Sequence, residues 1–169
     1  MSAVETALAS RMRDEVEEIP VAVQRLLDNS AGQIERAAAN LERIDPQLFV
    51  TIARGSSDHG AAFLKYVYEI YAGIPVASLG PSVASIYGST LKLDRVGGLA
   101  ISQSGKSPDI VESARKSVLG GATTIALTND DSSPLAETCT HTIDISAGPE
   151  TSVAATKTFV NCIVSGLML

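Results

Sequence analysis

The sequence predicts a three-layer α/β/α sandwich on a five-stranded parallel sheet, preceded by N-terminal helices. Three observations lead there. Past residue 47 the chain alternates short, bounded apolar runs with stretches of helical periodicity. Several of those runs end in glycine-, serine- or asparagine-rich turns just before a helix. With 169 residues, 45% of them hydrophobic, the chain can bury one α/β core but not two. Strands separated by helices of roughly 10–15 residues imply right-handed βαβ crossovers, and therefore a parallel sheet covered on both faces. Aromatic residues make up only 4%, so that core is built from Ala, Val, Ile and Leu.

The first 47 residues hold fourteen charged side chains and no strand-like run, which predicts helices. Residues 12–19 read as a short acidic helix, and Pro20 suits the first turn of the next one. There Val23, Leu26, Leu27, Ile34, Ala37, Ala38 and Leu41 recur at helical spacing until Asp45-Pro46 breaks the helix. Residues 48–53 form a buried strand by their length and β-branched content, ending in the turn Arg54-Gly55-Ser56-Ser57. Phe63, Tyr66, Val67, Ile70 and Tyr71 then make one helix face, closed by Gly73. Residues 75–79 are a second strand, 82–88 a short helix and 97–102 a third strand. Pro108–Leu119 is a helix with proline at its start and Gly120-Gly121 at its end. Thr123–Thr128 is a fourth strand, residues 140–145 a fifth, and the uncharged stretch 158–169 a buried helix, too short to span a bilayer. Because the chain stops on the apolar residues Gly166-Leu167-Met168-Leu169, it is expected to be the first part of a longer polypeptide, the alternative being a terminal helix docked in its own domain or in a dimer interface.

Charge excludes several partners. Thirteen basic against nineteen acidic residues leave a net charge of −6, which removes the electrostatic attraction that DNA, RNA and anionic membranes rely on. Cys139 and Cys162 form no CxxC pair, and neither His59 nor His141 stands at metal-ligand spacing from them. The expectation is a reduced, cytoplasmic chain with no metal and no secretion signal, since acidic residues interrupt the apolar N-terminus.

The turns after the first and third strands are where chemistry is expected. In open parallel sheets, ligands sit beyond the carboxyl ends of the strands, where helix N-termini present unpaired N–H groups. Arg54-Gly55-Ser56-Ser57-Asp58-His59-Gly60 and Ser102-Gln103-Ser104-Gly105-Lys106-Ser107-Pro108-Asp109 both fit that place. Glycine admits a close backbone approach, and serine hydroxyls can donate to phosphate oxygens. Ser57, Ser104 and Ser107 could equally be ordinary helix caps. Thr128-Asn129-Asp130-Asp131 is a further polar turn, most simply a turn and cap. No GxGxxG and no Walker lysine pattern is present, which argues against dinucleotides and nucleoside triphosphates. Lys157, a solitary cation near a helix start, calls for an acidic partner or an anion.

The motifs ARGSSD, SQSGKSPD and AGPETSVAATKTF strongly resemble the sugar isomerase (SIS) domain, a flavodoxin-like α/β fold. The opening MRDEVEEIP resembles the entry helix of the isomerase half of glucosamine-6-phosphate synthase, the glutamine-fructose-6-phosphate aminotransferase. ARGSSDHG together with PSVASIYG looks most like SIS-type glucosamine-6-phosphate deaminases. Arg54 stands where synthase-like members often carry cysteine, and so favours the deaminase-like branch. The resemblance implies two regions, an N-terminal helical extension at 1–47 and a first SIS domain at 48–169. The second SIS half would lie outside this chain.

It also implies site residues. The phosphate cradle falls on Gly55, Ser56, Ser57, Ser102, Gln103, Ser104 and Ser107, while Val153, Ala154 and Lys157 border the sugar. The acid/base groups belong to the second half, so no catalytic residue is assigned. His59 has suitable chemistry, but a turn or helix-face histidine is more often structural. The implied function is conversion of glucosamine 6-phosphate to fructose 6-phosphate plus ammonia by a homodimer without cofactor, this chain alone being inactive. The alternatives are the isomerase part of an aminotransferase, which would call for a separate glutaminase domain, and a non-catalytic phosphosugar-binding regulatory module.

Overall fold

The computed structural model describes residues 11–169, and the first ten residues of the predicted extension lie outside the described residues. Residues 11–17 are helical, and a turn at Glu18 leads into α1 (Ile19–Ile44) with Pro20 in its first turn. Its buried stripe is Ala22, Leu26, Ser30, Ile34 and Ala37, while Leu27 is exposed. Asp45 ends the helix in the left-handed conformation, its N–H donating back to Leu41 and Glu42. Arg95 holds that corner through the Asp45 carbonyl and carboxylate.

The sheet follows in the order β2-β1-β3-β4-β5, parallel throughout. Its strands are β1 (Leu48–Ile52), β2 (Val76–Ser78), β3 (Val96–Ile101), β4 (Thr123–Thr128) and β5 (His141–Asp144). Between them lie α2 (Ser56–Val67), α3 (Pro81–Ser85), α4 (Pro108–Leu119) and α5 (Pro134–Thr138), and α6 (Lys157–Leu167) closes the fold. The predicted strands match to within two residues at each end. Helix α5 was not expected from the sequence. Ser133 accepts a hydrogen bond from the Ala136 N–H, and Pro134 stands in the first turn, so the polar turn and cap expected after β4 lead into one turn of helix.

Alternation along the strands sorts the core into two faces. Phe49, Leu99, Ile101, Ile125, Leu127 and Ile143 meet α1, α2 and α6. Val50, Ile52, Ala100 and Ala126 face the other way, toward Ile110 and Ala114 of α4, Leu135 of α5, and Leu93. Helix α1 thus supplies Leu26, Ile34 and Ala37 to the same core as the sheet. Gly97 lies where an added Cβ would come within 2.4 Å of the Phe49 ring, which packs edge-on to Tyr68.

Helix α2 presents an unexpected face. Gly60, Ala61 and Leu64 are buried, whereas Phe63, Tyr66, Ile70 and Tyr71 are exposed. Small residues let α2 approach α6, where a Cβ on Gly60 would touch Phe159 and one on Gly166 would overlap Leu64. The helix then widens into a π turn over Tyr68–Ala72 before Gly73 ends it in the left-handed conformation.

Candidate functional site

The connection from β1 runs to β2 on one side of the sheet, while β3 lies on its other side. This reversal opens a crevice beyond the carboxyl ends of β1 and β3, the general ligand position of doubly wound sheets. A cleft of about 320 Å³ occupies it. One wall is the pair of turns after β1 and β3, from Arg54 to Ser57 and from Ile101 to Ser107. The other is the segment after β5, with Glu150, Ser152, Val153 and Ala155. Helices α2 and α4 both begin at this cleft, so two sets of first-turn N–H groups and two positive dipole ends meet there.

In the first wall Gly55 adopts φ +60° and ψ −135°, a conformation open essentially to glycine, which turns the chain from β1 into α2. The Ser57 hydroxyl donates to the Arg54 carbonyl at 2.7 Å and closes that turn. Ser104 accepts from the Lys106 N–H at 3.3 Å. Gly105, at φ +60°, sits so close to Ser133 that a Cβ would lie 2.1 Å from its hydroxyl. The Gln103 carbonyl accepts from the Asn129 N–H and the Thr128 hydroxyl, tying the turn to the end of β4. Among the described residues, no protein hydrogen bond engages the hydroxyls of Ser56, Ser102 and Ser107. Ser107 caps α4 by backbone position only, without a side-chain bond. Of the alternatives left open above, closing its own turn applies to Ser57, while Ser107 presents a hydroxyl with no cap to hold.

Arg54 also lines the cleft and donates from Nη1 to Asp109 Oδ2 at 2.7 Å. Burial raises the Asp109 pKa, and the guanidinium together with backbone N–H groups outweighs it, holding the carboxyl below its ordinary value. Asp130, hydrogen-bonded by Ser132 and paired with Lys106 at 2.9 Å, is held low in the same way.

The second wall is held by carboxylates. Glu150 accepts from the N–H groups of Thr156 and Thr158 and from both of their hydroxyls, capping α6 from six residues upstream. Glu15, a buried acid from the entry helix, accepts from the N–H and hydroxyl groups of Thr151 and Ser152. Desolvation raises its pKa, but these donors prevail and leave it lowered. Glu18, three residues on, pairs with Lys157 and Arg25, and their hydrogen bonds lower its pKa against burial. Arg25 in turn donates to the carbonyls of Ser146 and Ala147. Lys157 is only 2% exposed and has the acidic partner its position demanded.

Eight of the ten predicted site residues therefore line one cleft, namely Gly55, Ser56, Ser57, Ser102, Gln103, Ser104, Ser107 and Val153. Ala154 lies outside the lining, and Lys157 is directed to Glu18. Sequence reasoning missed Arg54, Glu150 and Ser152 as wall residues and Glu15 and Glu18 as their support. The i,i+3 spacing of the two glutamates was the available signal, since it puts both on one side of a helix. His59 is exposed on α2 away from the lining, and His141 begins β5 at the opposite end of the sheet. Burial, reinforced by Arg36, pushes the His141 pKa down. Burial raises Cys139 to about 11 and Cys162 to about 12, so neither thiol is a ready nucleophile. Among the described residues no cluster of His, Cys, Asp and Glu suits a metal, and no helix is long and apolar enough to cross a membrane.

The SIS domain model matches residues 44–169, which include both serine turns and the wall after β5. The chain belongs to the SIS domain family. Among curated relatives, the isomerizing glutamine–fructose-6-phosphate aminotransferase of Sulfurisphaera tokodaii is 33% identical over 165 residues, 94% of this chain and 26% of the relative. A crystal structure of a candidate phosphosugar isomerase from Silicibacter pomeroyi DSS-3 is 60% identical with a TM-score of 0.91, covering 94% of this chain and 48% of that one. The C-terminal domain of the Francisella tularensis glucosamine-fructose-6-phosphate aminotransferase matches at 27% identity and a TM-score of 0.81, over 94% of this chain and 45% of its own. This SIS chain thus spans about half of those solved chains and about a quarter of the curated relative. The cleft belongs to the matched region, whereas Glu15 and Glu18 precede it.

Proposed function

We propose that this SIS domain binds a sugar 6-phosphate, glucosamine 6-phosphate or fructose 6-phosphate, as part of an aminosugar-phosphate deaminase or isomerase acting in the cytoplasm as a homodimer. The observation that carries the reading is the cleft at the β1/β3 crevice. Three serine hydroxyls without protein partners and two helix starts converge there, a donor set that suits a phosphate and leaves the sugar against the second wall. The similarity to aminotransferases and to a candidate phosphosugar isomerase supports the substrate class.

The reaction would open the sugar ring, shift a proton between C1 and C2 and release or take up the amino group. Among the described residues the cleft offers one carboxylate, Glu150, whose Oε1 accepts from the Thr156 and Thr158 N–H groups and the Thr156 hydroxyl and whose Oε2 accepts from the Thr158 hydroxyl. Taking up a substrate proton would weaken the hydrogen bonds by which this carboxylate holds the start of α6, which makes Glu150 a helix cap first and a poor general base. This domain therefore anchors the phosphate, and the acid/base groups come from elsewhere in the enzyme. The relationship to aminotransferases favours a second direction of the same chemistry, amination of fructose 6-phosphate with ammonia from glutamine.

Calorimetric titration tests the anchor. Glucosamine 6-phosphate and fructose 6-phosphate are expected to bind, and glucosamine and fructose are not. Equal binding of sugars with and without phosphate would overturn the reading. In a coupled assay the 169-residue chain is expected to release no ammonia from glucosamine 6-phosphate, and turnover at an enzyme-like rate would refute the division of labour.

A further inference from the structure

Among the described residues lining the cleft, Arg54 is the only cation and Glu150 the only other charged group. It closes the end of β1, while its partner Asp109 lies in the first turn of α4, so the pair spans the crevice between the two serine turns. The pairing is incomplete on both sides. Of the five guanidinium N–H donors, only one on Nη1 reaches Asp109, and the arginine side chain remains 64% exposed. Asp109 Oδ1 is buried and accepts nothing. A one-pronged, solvent-exposed pair is held weakly, whereas a guanidinium fork and a phosphate dianion match through parallel hydrogen bonds.

We infer that Arg54 is the residue that makes this cleft select a dianionic phosphate ester, and that Asp109 holds its guanidinium in reserve until the ester arrives. The inference rests on the phosphosugar reading and adds to it a specificity residue outside the serine cradle. Asp109 neutralises the Arg54 guanidinium it pairs with, so a carboxylate or other monoanion gains little by replacing it. A dianion presents more charge and more acceptor oxygens than Asp109 and draws the guanidinium across. Lysine cannot reproduce this, because an ammonium is a point charge without the planar fork.

The test compares glucosamine 6-phosphate with glucosamine 6-sulfate, a monoanionic ester of the same shape, by calorimetry on the wild-type chain and on Arg54→Ala, Arg54→Lys and Asp109→Asn. Thermal midpoints verify that each variant folds. Arg54→Ala is expected to weaken phosphate-ester binding about tenfold or more, the scale of a lost charge-assisted pair, and sulfate-ester binding several-fold less. Arg54→Lys recovers part of the loss, and Asp109→Asn tightens phosphate-ester binding because the competitor is gone. Equal losses on both esters, or unchanged binding in Arg54→Ala, would overturn the inference while leaving the serine cradle standing. Weaker binding in Asp109→Asn would show that Asp109 positions the guanidinium and would overturn the competition. A wild-type chain that binds neither ester sinks the phosphosugar reading and this inference together.

Discussion

The two walls of the cleft draw on the same residue types and treat their polar groups in opposite ways. In the turns after β1 and β3, Ser56, Ser102 and Ser107 keep hydroxyls that no protein group among the described residues engages, and the backbone is shaped by Gly55 and Gly105 at φ +60°. In the segment after β5, Thr151, Ser152, Thr156 and Thr158 each donate to Glu15 or Glu150. The first wall is shaped by glycine conformation and open to a ligand. The second is tied down by the buried Glu15 and the half-buried Glu150 and has few donors left over. A row of serines and threonines therefore marks a binding surface only when nothing nearby accepts their hydrogen bonds.

Substitutions that attack each support should separate the walls. Gly105→Ala has the largest expected effect, because it adds left-handed strain and drives a methyl into Ser133, the cap of α5. The cost is about 3 kcal/mol, read as a fall in the denaturant midpoint at unchanged slope. Glu18→Gln comes next, since it leaves the Lys157 ammonium buried beside a neutral partner. Its cost is about 2 kcal/mol, below the range for fully buried pairs because Glu18 is a third exposed. Replacing Lys157 with Met in the same chain should restore most of that loss, and a double mutant no more stable than Glu18→Gln would refute the pairing.

Glu15→Gln should cost about 1 kcal/mol and act locally, lowering the amide exchange protection of Thr151 and Ser152 while leaving Gly105 unchanged. Uniform loss of protection would show that the walls are not independently supported. Acid should act on the second wall in the same way. Glu15 and Glu18 both have folded pKa values depressed below the ordinary 4.5, so their contribution is complete above that pH. It is lost as pH falls from 4.5 through the lower folded values. Thermal midpoints of wild type should therefore drop more steeply with acid than those of a Glu15→Gln, Glu18→Gln chain. Ser102→Ala should be the mildest for stability, within about 0.5 kcal/mol, while weakening phosphosugar binding several-fold.

Much of the fold was legible because bounded apolar runs and helix punctuation are local signals. Leu48–Ile52, Thr123–Thr128 and Pro108–Leu119 declare themselves through β-branched runs, proline starts and glycine ends. Helix α2 shows where such reading stops. Phe63 and Tyr66, with Ile70 and Tyr71 of the π turn that continues it, outweigh Gly60 and Ala61 in any count of hydrophobicity, yet the small residues are buried because they admit α6. Size favoured one face, and close approach selected the other.

The candidate site divides along the same line. Sequence alone placed Gly55, Ser56, Ser57, Ser102, Gln103, Ser104 and Ser107 beyond strand ends, because βαβ connectivity forces the turns after neighbouring parallel strands to one edge of the sheet. It also showed that Lys157 needed a partner. Only the tertiary structure decided which hydroxyls stay free, that Glu15 and Glu18 support a wall more than 130 residues away in sequence, and that Arg54 meets Asp109 across the crevice. Those outcomes depend on which donors and acceptors packing brings within about 3 Å, and local sequence pattern carries no information on that distance.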